Sequence, residues 1–518
     1  MEDLFLFNEI KLIIGSILGL IIYICFLKSK KVTKTNARAS LYIFIAYVVS
    51  LCFLYYLRNS FNTIHLFTTV CILFFISCLS ILKVFKIYNE KIGTLFMFLT
   101  IFLISFSYIY YTPYYLRQHD LRNFEIGPNG GHLGYMAEIF YTNKLPEGNP
   151  IDKWCFFNPP LHYIISSFVL KLSTIFTAED FINFEVLQIL SYIYFIIFII
   201  YTYKILKKIN IKKLLLPATL FIGLAPALII MSGSINNDML AITLSTIAIY
   251  YTIAWYESDK LKDLIKIALT ISLAIMTKVS SALIAIAIAT VFLTKVIKNK
   301  KDLIKYVKHF SIFALIALPI GLWFPVKNYV LYDIPFTYVQ SVDESNDANI
   351  SYHSTFERFF NFNKTHLNSV NIDMSKENAE YNIYLSTIKS FIVDENIDYS
   401  NKPILHFAFD FMLYLLFFIT LLYLVNIIYL IVTIKKDNNN WLFFFLVLGI
   451  LQIISYINFC FRFPFTFTMN FRYIVPTLLT FVVILSIASE KNEYLHAINK
   501  LMIVVYSIIS IIIFTNVL

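Results

Sequence analysis

The chain has little charge, glycine or proline for its length. Of its 518 residues only 14% are Asp, Glu, Lys or Arg and 59% are hydrophobic, with 12 glycines and 14 prolines. This composition excludes a soluble globular domain and favours plain membrane-spanning helices. The six cysteines show no CxxC or metal-ligand spacing. The net charge of +10 is concentrated in short loops between apolar runs, which indicates membrane orientation rather than nucleic-acid binding.

Apolar runs of spanning length recur along the whole chain. They predict an all-α polytopic membrane protein with about 14 transmembrane helices. The predicted spans lie at about 10–27, 41–57, 64–84, 92–112, 186–203, 214–231, 239–255, 262–277, 280–297, 306–323, 405–434, 441–459, 474–489 and 501–518.

Two lysine-rich loops predict the orientation. "KSKKVTKTNAR" carries five basic residues, and positive charge between spans is typical of the cytoplasmic side. The segment 204–213 carries five lysines and is cytoplasmic only if the apolar run 161–176 does not cross the membrane. We therefore predict that 161–176 is a surface helix on the outer side.

This orientation divides the chain into four regions. Residues 1–90 would form additional N-terminal transmembrane helices. Residues 91–323 would form the main transmembrane module, with a first external loop at 113–158 and the surface helix 161–176. An external loop at 324–403 and C-terminal transmembrane helices at 404–518 would complete the chain.

One acid in the first external loop is a candidate general base. Asp120 lies eight residues beyond the fourth predicted span, with Arg117, His119 and Arg122 beside it. These neighbours are expected to favour its ionised form. The alternative is an interfacial acid that only balances two arginines, whereas a base would deprotonate a hydroxyl held close to it.

Four charged residues at predicted outer membrane edges have two interpretations each. Asp238 either caps the seventh span or takes part in the site. Lys278 interrupts a long apolar stretch, where an ionisable side chain is costly and usually has a partner. Lys327 and Arg472 either snorkel or, with Lys278, bind a lipid-linked phosphate.

A carboxylate base and a cation-bound phosphate together describe one type of reaction. The base activates an acceptor hydroxyl, which attacks the anomeric carbon of a sugar from the face opposite the phosphate. The phosphate leaves without a proton because cations hold its charge. These residues therefore predict inverting glycosyl transfer from a polyprenyl-phosphate sugar.

Five motifs carry a resemblance to a known family. They are "QHD…GGHLGYMAEIF…LP…W.FFNPPLHYII", "NNDML", "MTKVSSAL", "WFPVKNYVLYDIP" and "NFRYIVP". In this order they resemble bacterial glycosyltransferase family 39, membrane enzymes of the GT-C fold similar to protein O-mannosyltransferases and the lipid A aminoarabinose transferase. The resemblance covers about 92–490, and the spans within 10–84 look like an N-terminal addition.

The resemblance implies functional residues. Asp120 would be the catalytic acid of the first external loop and Asp238 the second acid. Donor phosphate binding is predicted for Lys278, Lys327 and Arg472. The predicted donor- or acceptor-binding residues are His132, Tyr135, Glu138, His162, Asn237 and Asp238. Two departures stand out: Asp120 is followed by Leu121 where the family often has Glu, and Lys327 stands where it often has Arg.

The resemblance also implies partners and location. The donor would be a polyprenyl-phosphate sugar and the acceptor a cell-envelope glycan, lipid or protein, with no nucleic acid bound. No cofactor is expected to be required, and a divalent cation at Asp238 is the alternative left open. The expected location is a bacterial plasma membrane, with a multi-pass chain and an active site on the external face.

Two other classes remain as alternatives. A lipid flippase or polysaccharide exporter would also be polytopic and basic, but transporters usually show internal repeats and polar residues near the membrane midplane. The chain shows no such repeat. A catalytically inactive GT-C scaffold would retain the fold without turnover.

Overall fold

The computed structural model describes the chain except residues 1, 29–31, 61–64, 87–88, 176–181, 395–396, 400–401, 434–439 and 517–518. The described residues are mainly α-helical, with one isolated antiparallel bridge between Asn349 and Phe465. The first ten helices are α1 Glu2–Leu27, α2 Lys34–Ser60, α3 His65–Val84, α4 Glu90–Tyr111, α5 Gly131–Thr142, α6 Leu161–Thr174, α7 Glu185–Lys208, α8 Leu215–Gly223, α9 Pro226–Ser232 and α10 Asp238–Ser258. The other ten are α11 Leu261–Ile275, α12 Ala282–Lys298, α13 Leu303–Tyr332, α14 Thr355–Phe360, α15 Lys364–Leu367, α16 Ile383–Ile392, α17 Pro403–Thr433, α18 Asn440–Arg462, α19 Pro476–Lys491 and α20 Glu493–Asn516.

The structure confirms a polytopic helical protein but not the number of spans. Among the described residues 10 helices are long and apolar enough to cross a membrane, or 11 if the bent pair α8 and α9 counts as one. The ten are α1, α2, α4, α7, α10, α12, α13, α17, α18 and α20. The sequence estimate of 14 is therefore not confirmed, although each predicted apolar run coincides with a helix or with this bent pair.

The remaining predicted spans are short or broken. Helix α11 has 15 residues and α19 has 16, which gives lengths of about 22–24 Å against about 30 Å of bilayer hydrocarbon. Helices α8 and α9 meet at 58°. Pro226 starts α9 and cannot donate the backbone hydrogen bond that would continue α8. The described part of α3, Thr69–Val84, is also too short to count.

Helix α4 is the most enclosed of the long helices. Every residue from Met97 to Tyr110 is buried, whereas α1 and α2 leave many apolar side chains exposed. A helix that is apolar all round is expected to lie in the interior. The buried end of α4 fixes the starting point of the loop that carries Asp120.

A second, smaller hydrophobic core lies beside the helix bundle. It is built mainly from α5, α6 and the loops around them, and it includes Leu133, Tyr135, Phe156, Tyr163 and Leu170. Helix α6 buries this side and exposes an opposite apolar face of Ile164, Phe168, Leu172 and Ile175. That pattern is typical of a helix lying in a membrane interface. The surface position of 161–176 stays a prediction, and residue 176 itself lies outside the described residues.

The N-terminal helices are fastened to the rest of the chain by a buried ion pair. The ammonium of Lys11 in α1 pairs with the carboxylate of Glu185 at the start of α7. It also donates hydrogen bonds of 3.0 Å to the Ile109 carbonyl and to Gln188 Oε1. The second Glu185 oxygen accepts a hydrogen bond of 3.0 Å from the Tyr114 backbone. The added helices therefore contact both α4 and α7.

Candidate active site

Asp120 lies between α4 and α5 in a backbone conformation that few non-glycine residues adopt. Its φ is 55°, and Arg117 and Arg122 have φ values of 53° and 51°. A Cβ at Gly131, whose own φ is 61°, would lie 2.3 Å from the Asp120 carbonyl oxygen. That oxygen accepts a hydrogen bond of 2.9 Å from the His132 backbone. Glycine at position 131 therefore allows the Asp120 loop to lie against the first turn of α5.

The Asp120 side chain is solvent-exposed but held at one oxygen. Trp154 Nε1 donates a hydrogen bond of 3.0 Å to Asp120 Oδ1. The Arg122 guanidinium lies 4.1 Å from the centre of the Trp154 ring, which keeps the indole in place. The other carboxylate oxygen accepts no hydrogen bond from the residues that the structure describes.

The surroundings of Asp120 favour its ionised form. Partial burial alone would raise the pKa of Asp120, but His132, Arg472, the Trp154 hydrogen bond and His119 together lower it below its ordinary value. The larger charge effects therefore come from α5 and from the segment before α19. Asp120 is ionised near neutral pH, as a general base must be.

The two arginines beside Asp120 in sequence interact mainly with aromatic rings. The Arg117 guanidinium lies 5.5 Å from the centre of the Tyr108 ring, and Arg122 stacks on Trp154. Positive φ at both arginines turns the backbone between them and Asp120. Arg117 and Arg122 therefore contribute less to the lowered pKa of Asp120 than expected from the sequence.

His132 forms a buried wall of the same site. Its Nδ1 lies 2.8 Å from the Tyr163 hydroxyl on α6. Burial lowers the pKa of His132 to about 4, so the imidazole is neutral near pH 7. When His132 is protonated at acid pH, its positive charge lowers the pKa of Asp120 and so favours the ionised carboxylate.

A cysteine completes a compact group of three ligand-type side chains. Cys155 is buried, and its backbone φ is 72°. One ligand atom each from Asp120, His132 and Cys155 lies within 4.8 Å of the other two. The three residues come from the α4–α5 loop, the first turn of α5 and the segment before α6.

Asp238 is the second acid of the cluster and is paired. It is the first residue of α10, and its carboxylate accepts a hydrogen bond from the ammonium of Lys278, which follows α11. The Asn237 side chain donates a hydrogen bond of 2.8 Å to the Thr277 carbonyl. The prediction that Lys278 has a partner is therefore confirmed, and Asp238 forms an ion pair instead of capping α10 with its side chain.

Arg472 interacts electrostatically with three separate carboxylates. It lies between α18 and α19, and its Nη2 donates a hydrogen bond of 2.9 Å to the Tyr473 hydroxyl. Burial alone would lower the pKa of Arg472, but Tyr473, Asp238, Asp120 and Asp394 together raise it. Its buried Nε has no hydrogen-bond partner in the described residues.

Asp394 is a third acid of the site that the sequence did not reveal. It is buried, and its Oδ2 lies 3.1 Å from His119 Nε2. Its Oδ1 accepts a hydrogen bond of 2.8 Å from the Asn470 side chain. Burial alone would raise the pKa of Asp394, but His119, Asn470 and Arg472 lower it. Asp394 therefore connects the end of the 324–403 segment to His119 in the loop after α4 and to Asn470 in the segment before α19.

Three predicted binding residues lie behind the site rather than at its open side. Tyr135 is buried between the rings of Phe156 and Tyr163, at centroid distances of 4.5 and 4.0 Å. Glu138 pairs with Lys153 at 2.6 Å. His162 is also buried, and its Nε2 donates a hydrogen bond of 2.8 Å to the Ile235 carbonyl. Direct contact of Tyr135, Glu138 or His162 with substrate stays a prediction.

Lys327 lies in the last part of α13 and is half-buried. Within the described part of the chain it makes no ion pair or hydrogen bond with a side chain of the cluster. Its role in phosphate binding stays a prediction. The structure brings together Asp120, His132, Asp238, Lys278 and Arg472, which are most of the ionisable residues predicted from the motifs.

Four further residues of the site were not predicted from the sequence: Trp154, Cys155, Tyr163 and Asp394. Three of them lie within or beside the "W.FFNPPLHYII" motif, so the motif itself was the available signal. Asp394 stands in "SFIVDENIDYS", which lacks a recognisable pattern, and only its position in space identifies it.

One family model matches part of the chain. Residues 158–323 match the family model described as dolichyl-phosphate-mannose-protein mannosyltransferase, a GT-C family similar to glycosyltransferase family 39. The match contains His162, Asp238 and Lys278, whereas Asp120 and Arg472 lie outside it. No curated protein and no solved structure matches the chain. The motif-based recognition is confirmed over the matched residues, and with the apolar helices it indicates a multi-pass membrane glycosyltransferase.

Proposed function

We propose that this membrane glycosyltransferase transfers a sugar from a polyprenyl-phosphate donor to an acceptor hydroxyl, with inversion at the anomeric carbon and with Asp120 as the base. The reaction would take place at the external face of a bacterial plasma membrane. The acceptor would be a cell-envelope glycan, lipid or protein.

One relationship carries the proposal: an exposed, ionised carboxylate lies within the electrostatic reach of a half-buried arginine. Asp120 has one oxygen free of hydrogen bonds from described residues, and Arg472 is a half-buried cation whose charge acts on Asp120. An acceptor hydroxyl needs the former and a departing phosphate needs the latter. The two groups therefore supply complementary parts of a displacement at the anomeric carbon.

The chemical step balances without another reactant. The acceptor oxygen forms a bond to the anomeric carbon while the bond from that carbon to the phosphate oxygen breaks. The acceptor proton moves to Asp120, and the electron pair of the broken bond stays on the polyprenyl phosphate. Attack and departure occur on opposite faces of the sugar, so one displacement inverts the configuration.

The phosphate would be bound by cations from separate segments. Arg472 offers its guanidinium, and Lys278 can share its ammonium between Asp238 and a phosphate oxygen because it is half-exposed. Lys327 is proposed as a third contact on the evidence of its motif. Charge-assisted hydrogen bonds of this kind stabilise the leaving group more in the transition state than in the donor.

The test is the Asp120→Asn variant of the full-length protein, assayed with a polyprenyl-phosphate sugar. Asn keeps the shape but cannot take the proton, so turnover should fall by roughly two to four orders of magnitude while donor affinity changes little. Asp152→Asn is a matched control because Asp152 is an exposed acid in the same external segment. Near-normal turnover in Asp120→Asn would contradict the assignment.

Two outcomes would point to other functions. If the wild-type protein binds donor but gives no product with any acceptor offered, an inactive scaffold is the better description. If it moves polyprenyl-phosphate sugars across vesicles without cleaving them, it is a flippase. Product formation that depends on Asp120 excludes both.

A further inference from the structure

The group formed by Asp120, His132 and Cys155 joins the proposed base to two side chains to which the proposed transfer assigns no chemical step. An imidazole, a thiol and a carboxylate converge so that one ligand atom of each lies within 4.8 Å of the others. Ligand atoms around tetrahedral zinc, bound at about 2.0–2.3 Å, lie roughly 3.3–3.8 Å apart. The three side chains need to close by only about 1 Å to reach that geometry.

The free ends of these side chains are already oriented. Tyr163 engages His132 Nδ1, and a histidine that binds a metal through one nitrogen usually has its other nitrogen held in this way. Trp154 holds Oδ1 of Asp120 and leaves the second oxygen available. His132 and Cys155 are buried while Asp120 is exposed, so the group is closed on one side and open on the other.

The fixed charges nearby are balanced. The cluster contains three carboxylates, of Asp120, Asp238 and Asp394, and three permanent cations, Lys278, Arg472 and Arg122. Lys278 is engaged with Asp238. A bound cation would therefore be held by the three ligand atoms rather than by a surplus of negative charge.

We propose that Asp120, His132 and Cys155 bind a divalent cation of the zinc class, and that the bound cation suppresses sugar transfer. Thiolate, imidazole and carboxylate are the ligands that zinc prefers, and three protein ligands with one open position is a common zinc arrangement. On binding, the Cys155 thiol gives its proton to solvent and the thiolate coordinates the metal.

The bound metal would suppress sugar transfer because it would engage the Asp120 oxygen that must accept the acceptor's proton. This part of the proposal rests on the proposed function. Trp154 engages one oxygen and the metal would engage the other, so the carboxylate could no longer accept a proton from the acceptor. The metal and the acceptor would therefore compete for one side chain. Zinc should act as an inhibitor that a chelator reverses.

The site is tested by binding alone, which does not depend on transfer activity. Purified full-length protein in detergent is titrated with Co²⁺, and a thiolate-to-cobalt charge-transfer band should appear at one equivalent. Zn²⁺ should displace the Co²⁺ and remove the band. The band should be absent in Cys155→Ser and in His132→Gln but present in Cys52→Ser, an exposed cysteine on α2.

Folding is checked by thermal unfolding with and without Zn²⁺. The midpoint should rise with Zn²⁺ in the wild type and in Cys52→Ser, because a ligand that binds only the folded protein stabilises it. It should not rise in Cys155→Ala or Cys155→Ser. A cobalt–thiolate band that survives in the Cys155 variants, or no band in the wild type, would overturn the site.

Inhibition is tested as a ratio of turnover with and without Zn²⁺ within each variant. The ratio should fall at least tenfold for the wild type and stay near one for Cys155→Ser. Turnover that is unchanged or raised by Zn²⁺ in a wild type that shows the cobalt band would overturn the competition while leaving the proposed transfer reaction standing. Loss of all transfer activity with an intact cobalt band would instead contradict only the proposed function.

Discussion

His119 Nε2 lies 3.1 Å from Asp394 Oδ2, although 275 residues separate the two in the chain. The contact joins the loop after α4 to the segment after α16. Asn470 binds the other oxygen of Asp394, so the segment before α19 is attached to the same carboxylate. A single buried acid thus connects three segments that together surround Asp120 and Arg472.

Replacing this acid should destabilise the site in a pH-dependent way. Asp394→Asn removes a charged acceptor from His119 and Asn470, which should lower the free energy of unfolding by about 1.5–3 kcal/mol near pH 7. The pKa of Asp394 is lowered in the folded protein, so its contribution is present above the ordinary pKa and is lost as pH falls through the folded value. The difference in thermal midpoint between wild type and variant should therefore shrink below about pH 4.

Asp347→Asn is the control, because Asp347 is an exposed acid in the same 324–403 segment. Its midpoint should follow that of the wild type at every pH. A constant gap between wild type and Asp394→Asn from pH 7 to pH 3 would show that the carboxylate charge does not stabilise the fold.

Gly131→Ala should damage the site without removing a charged group. The new Cβ would lie 2.3 Å from the Asp120 carbonyl, and the φ of 61° costs a non-glycine residue roughly 1–2 kcal/mol. The Asp120 loop must move, so turnover should fall more than tenfold. Gly127→Ala is the matched control because no atom lies within 4 Å of its added Cβ. Equal turnover in the two variants would exclude the proposed positioning role.

The Asp238–Lys278 pair allows stability and donor binding to be separated. Lys278→Met leaves a buried, unpaired Asp238, so both the thermal midpoint and donor affinity should decrease. Adding Asp238→Asn should restore much of the stability but not the donor affinity, which we expect to stay roughly ten- to hundredfold weaker. Donor affinity that recovers together with stability would mean that Lys278 only balances Asp238.

Lys327→Met tests the phosphate role of a lysine that makes no ion pair with a described residue. Donor affinity should fall roughly tenfold while the thermal midpoint stays constant, because no intramolecular partner is lost. Direct titration with a polyprenyl phosphate measures this. An unchanged affinity would identify Lys327 as a residue that only snorkels to the membrane surface.

The topology of α6 can be tested with two engineered cysteines. Glu147→Cys precedes α6 and Lys207→Cys lies at the end of α7. If α6 stays at the surface, only α7 crosses between them, so an impermeant maleimide added to intact cells should label position 147 and not 207. Labelling of both positions, or of neither, would show that α6 crosses as well. The wild-type protein, with its native cysteines, sets the background.

Hydrophobic runs and motifs predicted much of this protein. The fourteen apolar segments coincide with helices or with the bent pair because backbone polar groups must be satisfied within the segment in an apolar surrounding. The number of spans was less predictable. Helix α11 ends shortly before Lys278 and α19 begins shortly after Arg472, so both helices are shortened where the backbone enters the charged cluster. Hydropathy alone does not predict where the helical backbone ends at the cluster.

The charged cluster was predicted in part for a related reason. Asp120, Asp238, Lys278 and Arg472 occur in recognisable motifs at predicted helix ends, so they could be assigned to one surface. The contact between His119 and Asp394 depends on the path of the 324–403 segment, and composition does not specify that path. The electrostatic partners of Asp120 likewise follow from the turn at Arg117 and Arg122, which only the backbone reveals.

The buried pair of Lys11 and Glu185 has a consequence for biosynthesis. The two residues are 174 positions apart, so at about 5–20 residues per second Glu185 is made roughly 9–35 s after Lys11. During that interval Lys11 lacks the Glu185 carboxylate with which it pairs in the folded protein, and a buried ammonium in a membrane protein normally has such a partner. Helix α1 therefore cannot make this contact until α7 has been synthesised, so the first helix of the chain waits for the seventh before the two are joined.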